Sequence, residues 1–159
     1  NISNLSGIFV PINKHGAQGR DAARKIEEAY ASDSQILYFP AGLCSRKRGG
    51  IIKDLEWHKS FVAKAVQHER DIVPAFFSGR NSSFFYNLSN IRNFLGVKAN
   101  IEMLYLADEM FKQKEKVINL VFGKKISWQQ FDGSRTFTEW AEWVKGKTYE
   151  LGSAIVVNT

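Results

Sequence analysis

The chain has 159 residues, 44% of them hydrophobic and 24% charged, a globular balance that excludes a disordered chain or a fibre. Its longest charge-free run is 13 residues, positions 1–13, too short for the roughly 20 that a membrane-spanning helix needs. One cysteine, Cys44, excludes an internal disulfide framework, and a net charge of +6 with a pI near 9.5 favours anionic partners: nucleic acid, acidic lipid, a phosphorylated small molecule or an acidic carrier protein.

Residues 7–12 (GIFVPI) read as a short buried strand. Ala22, Ala23, Ile26, Ala29 and Tyr30 then recur at helical spacing and predict a helix over 21–31. Residues 35–39 (QILYF) read as a second strand, stopped by Pro40 and Gly42. Trp57, Phe61, Val62, Ala65 and Val66 predict the next helix, with Asp54 as its cap or first-turn acid. Residues 72–77 (IVPAFF) form a third strand, which Pro74 confines to an edge or makes locally irregular. Helices follow over 87–95 and 101–111, broken at Gly96, and residues 116–122 (KVINLVF) give a fourth strand. Phe137, Trp140, Ala141 and Val144 mark a last helix, with Ser134 as its capping candidate. The order βαβαβααβα predicts an α/β fold, a mostly parallel sheet with flanking helices and right-handed crossovers, in one domain over 1–159.

Most common chemistries find no footing. His15, His58 and His68 have no cysteine or second histidine at metal-ligand spacing, and no metal site is expected. No G-x-S-x-G elbow, Walker loop or G-x-G-x-x-G fingerprint occurs. Two polar loops remain, each directly after a predicted strand, where ligands gather in open α/β sheets. The first runs from Phe39 to Lys47 and on to Gly49-Gly50. Gly42 lets the backbone approach a ligand, Ser45 offers a hydroxyl, and Arg46 can grip a phosphate with two parallel hydrogen bonds. Arg46, Lys47, Arg48 and Lys53 fall within eight residues that hold no acid. The second loop, 77–83, brings Arg80, Asn81 and Ser82 to the end of the next strand, where they could equally form a turn and a helix cap.

Phe39-Pro40-x-Gly42-x-x-Ser45-Arg46 resembles a block of the glycerolipid (lysophosphatidic-acid type) acyltransferases. It is closer still to the version in their hemolysin-like and ornithine-lipid branch. Ile72-Val73-Pro74-Ala75 matches that superfamily's short I-V-P-x block, and Gly79-Arg80-Asn81-Ser82 with Phe84-Phe85-Tyr86 looks like the same branch. The resemblance runs from Gly7 to about Gly123. It implies a glycerol-3-phosphate acyltransferase-like fold and transfer of an acyl chain to a lyso-lipid or related acceptor, from an acyl-carrier protein or CoA thioester and without a cofactor. It also implies phospholipid metabolism at the cytoplasmic face of a membrane, with no nucleic acid partner.

The superfamily's general base is the His of an H-x-x-x-x-D motif, oriented by the Asp. Five residues after His15, His58 and His68 stand Arg20, Ala63 and Val73. The motif precedes the first matched block in the family, and this chain opens on Asn1 rather than Met. The expectation is a C-terminal part of a longer enzyme, inactive alone, with its catalytic residues upstream of Asn1. The family's block glutamate is Ala41 here, and its preceding arginine falls near Asn13, which disfavours glycerol phosphate as acceptor. Substrate binding is expected at Gly42, Ser45, Arg46, Arg80, Asn81 and Ser82, with the two arginines on anionic groups. Phe84, Phe85 and Tyr86 would pack in the core, line an acyl path or meet the membrane. The competing reading is a non-enzymatic basic module that binds anions or nucleic acid.

Overall fold

The computed structural model describes residue 9 and residues 19–156. The strand expected at 7–12 (Phe9 apart) and His15 lie outside the described residues.

Helix formation follows the apolar spacing closely. Helix α1 spans Arg20–Ala31 and turns Tyr30 inward. It lies against α2, Ser60–Gln67, where the Tyr30 and His68 rings stack with centroids 5.5 Å apart and Glu27 pairs with both Lys64 and His68. In α2, Phe61, Val62 and Ala65 are buried at one-turn spacing. They meet Trp140, Ala141 and Val144 of the long C-terminal helix α5, Phe137–Val156. Trp57, Ile126 and Phe131 complete this core, where each fully buried large side chain contributes about 1.5–3 kcal/mol. Helix α5 is capped by Thr136, not by Ser134. Thr136 Oγ1 accepts from Glu139 N–H, and Glu139 Oε2 accepts from both Thr136 donors, a reciprocal capping box. Ser134 N–H instead bonds Asp132 Oδ1 in a local turn. Asp54 is likewise no cap of α2: its carboxylate accepts from the Trp57 indole N–H, six residues before the helix begins at Ser60.

The sheet departs from expectation. The described residues contain two antiparallel pairs and no parallel sheet. Strands β1, Arg46–Arg48, and β2, Ile51–Lys53, form a hairpin around Gly49-Gly50. Both glycines take positive φ, as a tight two-residue hairpin turn requires. Strand β3, Ala75–Phe77, pairs with β4, Leu120–Phe122, and the ladder resumes beyond Pro74 as the Ile72–Ile126 bridge. Between them run α3 (Ser83–Phe94), a 3-10 helix (Ile101–Tyr105) and α4 (Leu106–Phe111). This excursion leaves at Ser78 and returns at Asn119, whose backbones bond each other at 3.0 Å. Leaving and re-entering at the same end makes the two strands antiparallel.

Residues 35–39, expected as a strand, have no ladder partner among the described residues. Tyr38 is anchored instead through its side chain, with its hydroxyl 2.8 Å from Ser60 Oγ and its ring against Phe61. Arg70 holds the preceding turn through the carbonyls of Tyr30, Ser32 and Ser34. One face of the β3–β4 pair packs on α5, where the Phe76 and Tyr149 rings meet edge to face. Phe77, Leu120 and Phe122 of the other face are exposed.

Candidate functional site

The two loops singled out by sequence come together, and a tyrosine joins them. Tyr86, one turn into α3 and buried, places its hydroxyl 3.4 Å from Ser45 Oγ and accepts from Asn81 N–H at 3.2 Å. Ser45 and Asn81 are thus held across one phenol oxygen. Gly42 closes the turn before them: its N–H donates to Phe39 O, and its φ of +64° suits a residue without Cβ.

Arg46 points inward. Only 6% of it is exposed, and its guanidinium donates to Cys44 O at 3.0 Å and to Glu102 Oε1 at 2.9 Å. A second arginine, Arg92 of α3, reaches the same carboxylate, with Nε 2.9 Å from Glu102 Oε2, and also donates to Val97 O. Glu102 is fully buried between them. One carboxylate therefore neutralises one of two guanidinium charges, and the carbonyls of Cys44 and Val97 each take a further donor, from Arg46 and Arg92 respectively. The Phe85 ring, 6.0 Å from the Arg46 guanidinium, walls this network.

Ser82 is engaged by a second buried carboxylate. Its hydroxyl caps α3 by accepting from Phe85 N–H, and it donates to Glu109 Oε1 at 2.6 Å. Ser82 N–H donates to Glu109 Oε2, and Lys112 lies 3.1 Å from the same group. Burial pushes the Glu109 pKa up, but the hydrogen bonds from Ser82 and Lys112 outweigh it and leave the pKa below the ordinary glutamate value. Arg80 is different: its side chain is exposed, and only its carbonyl is used, by Gln113. The cations facing outward beside the joined loops are Arg80 and, on the β1–β2 hairpin, Arg48 and Lys53.

Of the six residues expected from sequence, then, Ser45 and Asn81 meet across Tyr86, Gly42 shapes the turn, and Arg80 is exposed. Arg46 and Ser82 are bonded to buried glutamates. Sequence reasoning missed Tyr86 as the joining residue, and missed Glu102, Glu109 and Arg92 altogether. A signal existed: Glu102 and Glu109 stand seven apart in a mostly apolar helical run, so they share a face that must find cationic or N–H partners. The histidines lie apart from this chemistry. His58 is exposed, and His68 pairs with Glu27 between α1 and α2.

An acyl-transfer family is what these blocks suggest, and the comparisons bear it out. The acyltransferase family model matches residues 1–157, and the chain belongs to that family. It is 53% identical over 151 residues to a lyso-glycine lipid O-acyltransferase of Bacteroides thetaiotaomicron, covering 95% of this chain and 56% of that protein. A lyso-glycine lipid O-acyltransferase of Phocaeicola vulgatus is 54% identical over 151 residues, with 95% and 54% covered. The chain thus spans about half the length of the curated relatives it matches. No solved structure matches it.

Proposed function

We propose that this chain carries part of a lipid O-acyltransferase that moves an acyl group from a thioester to an oxygen of a lyso-lipid. The observation that carries the reading is the identity of more than half over 95% of the chain to two lyso-glycine lipid O-acyltransferases. A lyso-glycine lipid is the acceptor this favours, and acyl-carrier protein or CoA presents the acyl group. In the reaction the acceptor oxygen attacks the thioester carbonyl, an ester C–O bond forms, the C–S bond breaks, and the acceptor's proton ends on the departing thiol. The base is the His of the H-x-x-x-x-D motif, which none of the histidines in this chain provides.

In this reading the loops at Gly42–Arg46 and Arg80–Ser82 form the substrate site. Arg80, at its exposed edge, takes an anionic group of donor or acceptor. Arg46 acts through the loop: by holding Cys44 O from inside, it fixes where Gly42 and Ser45 stand. A lipid acceptor puts the reaction at a membrane surface, with the protein peripheral on its cytoplasmic face, and no helix among the described residues is long and apolar enough to cross a membrane. The competing anion- or nucleic-acid-binding module has no support among the relatives.

The test uses the complete reading frame that encodes this chain, beside the 159-residue chain itself. Each is given lyso-glycine lipid with acyl-carrier-protein and CoA thioesters, and the doubly acylated product is sought by mass spectrometry. Product from the complete enzyme and none from the chain alone is expected. No product from the complete enzyme with either donor would overturn the proposal.

A further inference from the structure

We infer that the turn joining α3 to the following 3-10 helix, with the exposed stripe of α3 beside it, docks on an anionic lipid bilayer surface. The inference goes beyond the acyl-transfer reading and rests on it only for what docking would serve.

The helix α3 carries an apolar stripe in addition to the face it buries. Phe85, Ser89 and Arg92, at offsets of 0, 4 and 7, face inward and are buried. Phe84, Leu88, Ile91 and Leu95 repeat the same spacing about 100° round the helix. There Phe84 and Ile91 are half exposed and Leu95 is 67% exposed. The stripe runs into a turn that is itself apolar. Phe94 is 90% exposed and Leu104, just across the turn, 83%. Turns at a protein surface are ordinarily polar, so side chains this exposed need an apolar medium to justify their place.

The turn is held rigidly in this presentation. Val97 N–H donates to Arg92 O, and Gly96 N–H donates to Asn93 O, with Gly96 at φ +70°. That is the Schellman stop, in which a left-handed glycine ends the helix. Arg92, anchored on Glu102, also donates to Val97 O at 2.8 Å, so the buried ion cluster clamps the turn from inside. The Phe84 ring meets Tyr105 edge to face at 5.1 Å, which ties the stripe to the 3-10 helix.

Charge decides the occupant. Arg80, Lys98, Lys114 and Lys116 are exposed in this excursion, and Lys112 lies 5.8 Å over the Phe84 ring. The exposed acids of the same excursion are Asp108 and Glu115. A second copy would bring the same cationic surface against itself, which costs free energy. An anionic bilayer accepts the apolar side chains between its headgroups while its phosphates meet the lysines, the interfacial pattern of apolar anchors with snorkelling cations.

Co-sedimentation with vesicles tests this. Vesicles of equal parts phosphatidylcholine and phosphatidylglycerol should retain the protein, and pure phosphatidylcholine should retain much less. Phe94→Ser combined with Leu104→Ser should weaken binding at least roughly tenfold, with an unchanged melting curve because both side chains are already exposed. Lys98→Ser with Lys114→Ser should weaken it severalfold at low salt only. No retention on the mixed vesicles, or equal retention of the Phe94/Leu104 variant, overturns the inference. So does a variant that alters only self-association on a sizing column, since the face would then be covered by a second copy. The two readings separate in the complete enzyme given a dispersed short-chain lyso-lipid. Transfer without vesicle binding defeats the docking surface alone, and vesicle binding without transfer defeats the acyltransferase reading alone.

Discussion

Arg46 and Glu102, 56 positions apart in the chain, share a 2.9 Å ion-paired hydrogen bond with both side chains withdrawn from water. The pair stitches the loop around Gly42–Arg46 to the segment that follows α3. Removing one partner of such a pair leaves a buried charge without its counter-charge, at a typical cost of about 3–5 kcal/mol. Here it would leave two guanidiniums, since Arg92 uses the same carboxylate. Glu102→Ala should therefore lose about 3–5 kcal/mol in urea denaturation at neutral pH. A loss below about 1 kcal/mol, the range of exposed pairs, would mean that water reaches the cluster, and its proposed role in shaping the loop would go with it.

Tyr86 gives a milder and more local test. Tyr86→Phe keeps the buried ring and removes the oxygen between Ser45 and Asn81. The stability cost should be about 0.5–1.5 kcal/mol, one net hydrogen bond. In the complete enzyme the effect on substrate use should exceed what this small loss explains, because the two loops lose their common anchor. A variant destabilised by that amount yet with unchanged kcat/KM would show that the loops keep their places without the phenol oxygen.

The capping of α5 separates what sequence suggested from what the structure shows. Thr136→Ala removes the hydroxyl that accepts from Glu139 N–H and should cost about 1 kcal/mol. Ser134→Ala should stay within about 0.5 kcal/mol, since Ser134 uses its backbone N–H in its turn. Paired thermal melts decide this. Equal shifts for the two variants would put the helix start back at Ser134.

Sequence periodicity located α2 and the start of α5 to within a few positions, because each buries apolar residues that repeat with the helical turn, but it missed the first turn of α3 and the 3-10 turn Trp128–Gln130. The Pro74 irregularity was also legible, since a residue without N–H must interrupt a ladder. Sheet topology was not. Strand order inferred from βαβ alternation assumes that each helix crosses over, whereas the α3–α4 excursion returns to the end it left, and nothing in the residues 83–111 marks that return. The β1–β2 hairpin was hidden by its own composition. Its Gly49-Gly50 turn signal sits in a run of cations that reads as a solvated loop. The candidate site was half legible: loop chemistry singled out Ser45 and Asn81, which meet across Tyr86, but exposed and buried arginines look alike in a sequence. Only the partners Glu102 and Glu109, far along the chain, separate Arg46 from Arg80.

Glu109 predicts an acid limb in the stability curve. Its folded pKa lies below the ordinary glutamate value because Ser82 and Lys112 favour the carboxylate more than burial disfavours it. A group whose pKa falls on folding stabilises the fold fully above its unfolded pKa, about 4.3. That contribution is lost as pH drops through the lower folded value. Protonation would also weaken the hold on Ser82, the cap of α3. Glu27, Asp71, Asp132 and Glu139 are shifted the same way and add to the same limb. Glu109→Gln should thus be less stable than the parent near neutral pH, and the two should converge as the acid limb is descended. Parallel curves would mean that Glu109 has no part in the acid transition.

Arg80 and Arg46 should part company when each is replaced in the complete enzyme. Arg80 is exposed, so Arg80→Ala should leave stability within about 0.5 kcal/mol of the parent. If it holds a phosphate or carboxylate of a substrate, KM for that substrate should rise by about tenfold, the lower end for a charge-assisted contact, and the effect should shrink as salt screens it. Arg46 is inside, bonded to Cys44 O and Glu102 at once. Arg46→Ala should lower the melting temperature and the rate together, and salt should rescue neither. Arg46→Lys should behave nearly as badly, since a point charge on a flexible stem cannot reproduce a planar fork that serves a carbonyl and a carboxylate from fixed directions. Should Arg46→Ala instead melt like the parent and raise only KM, with the rise fading in high salt, Arg46 would be a direct ligand of the substrate. The assignment of anion contact to Arg80 and loop support to Arg46 would then have to be reversed.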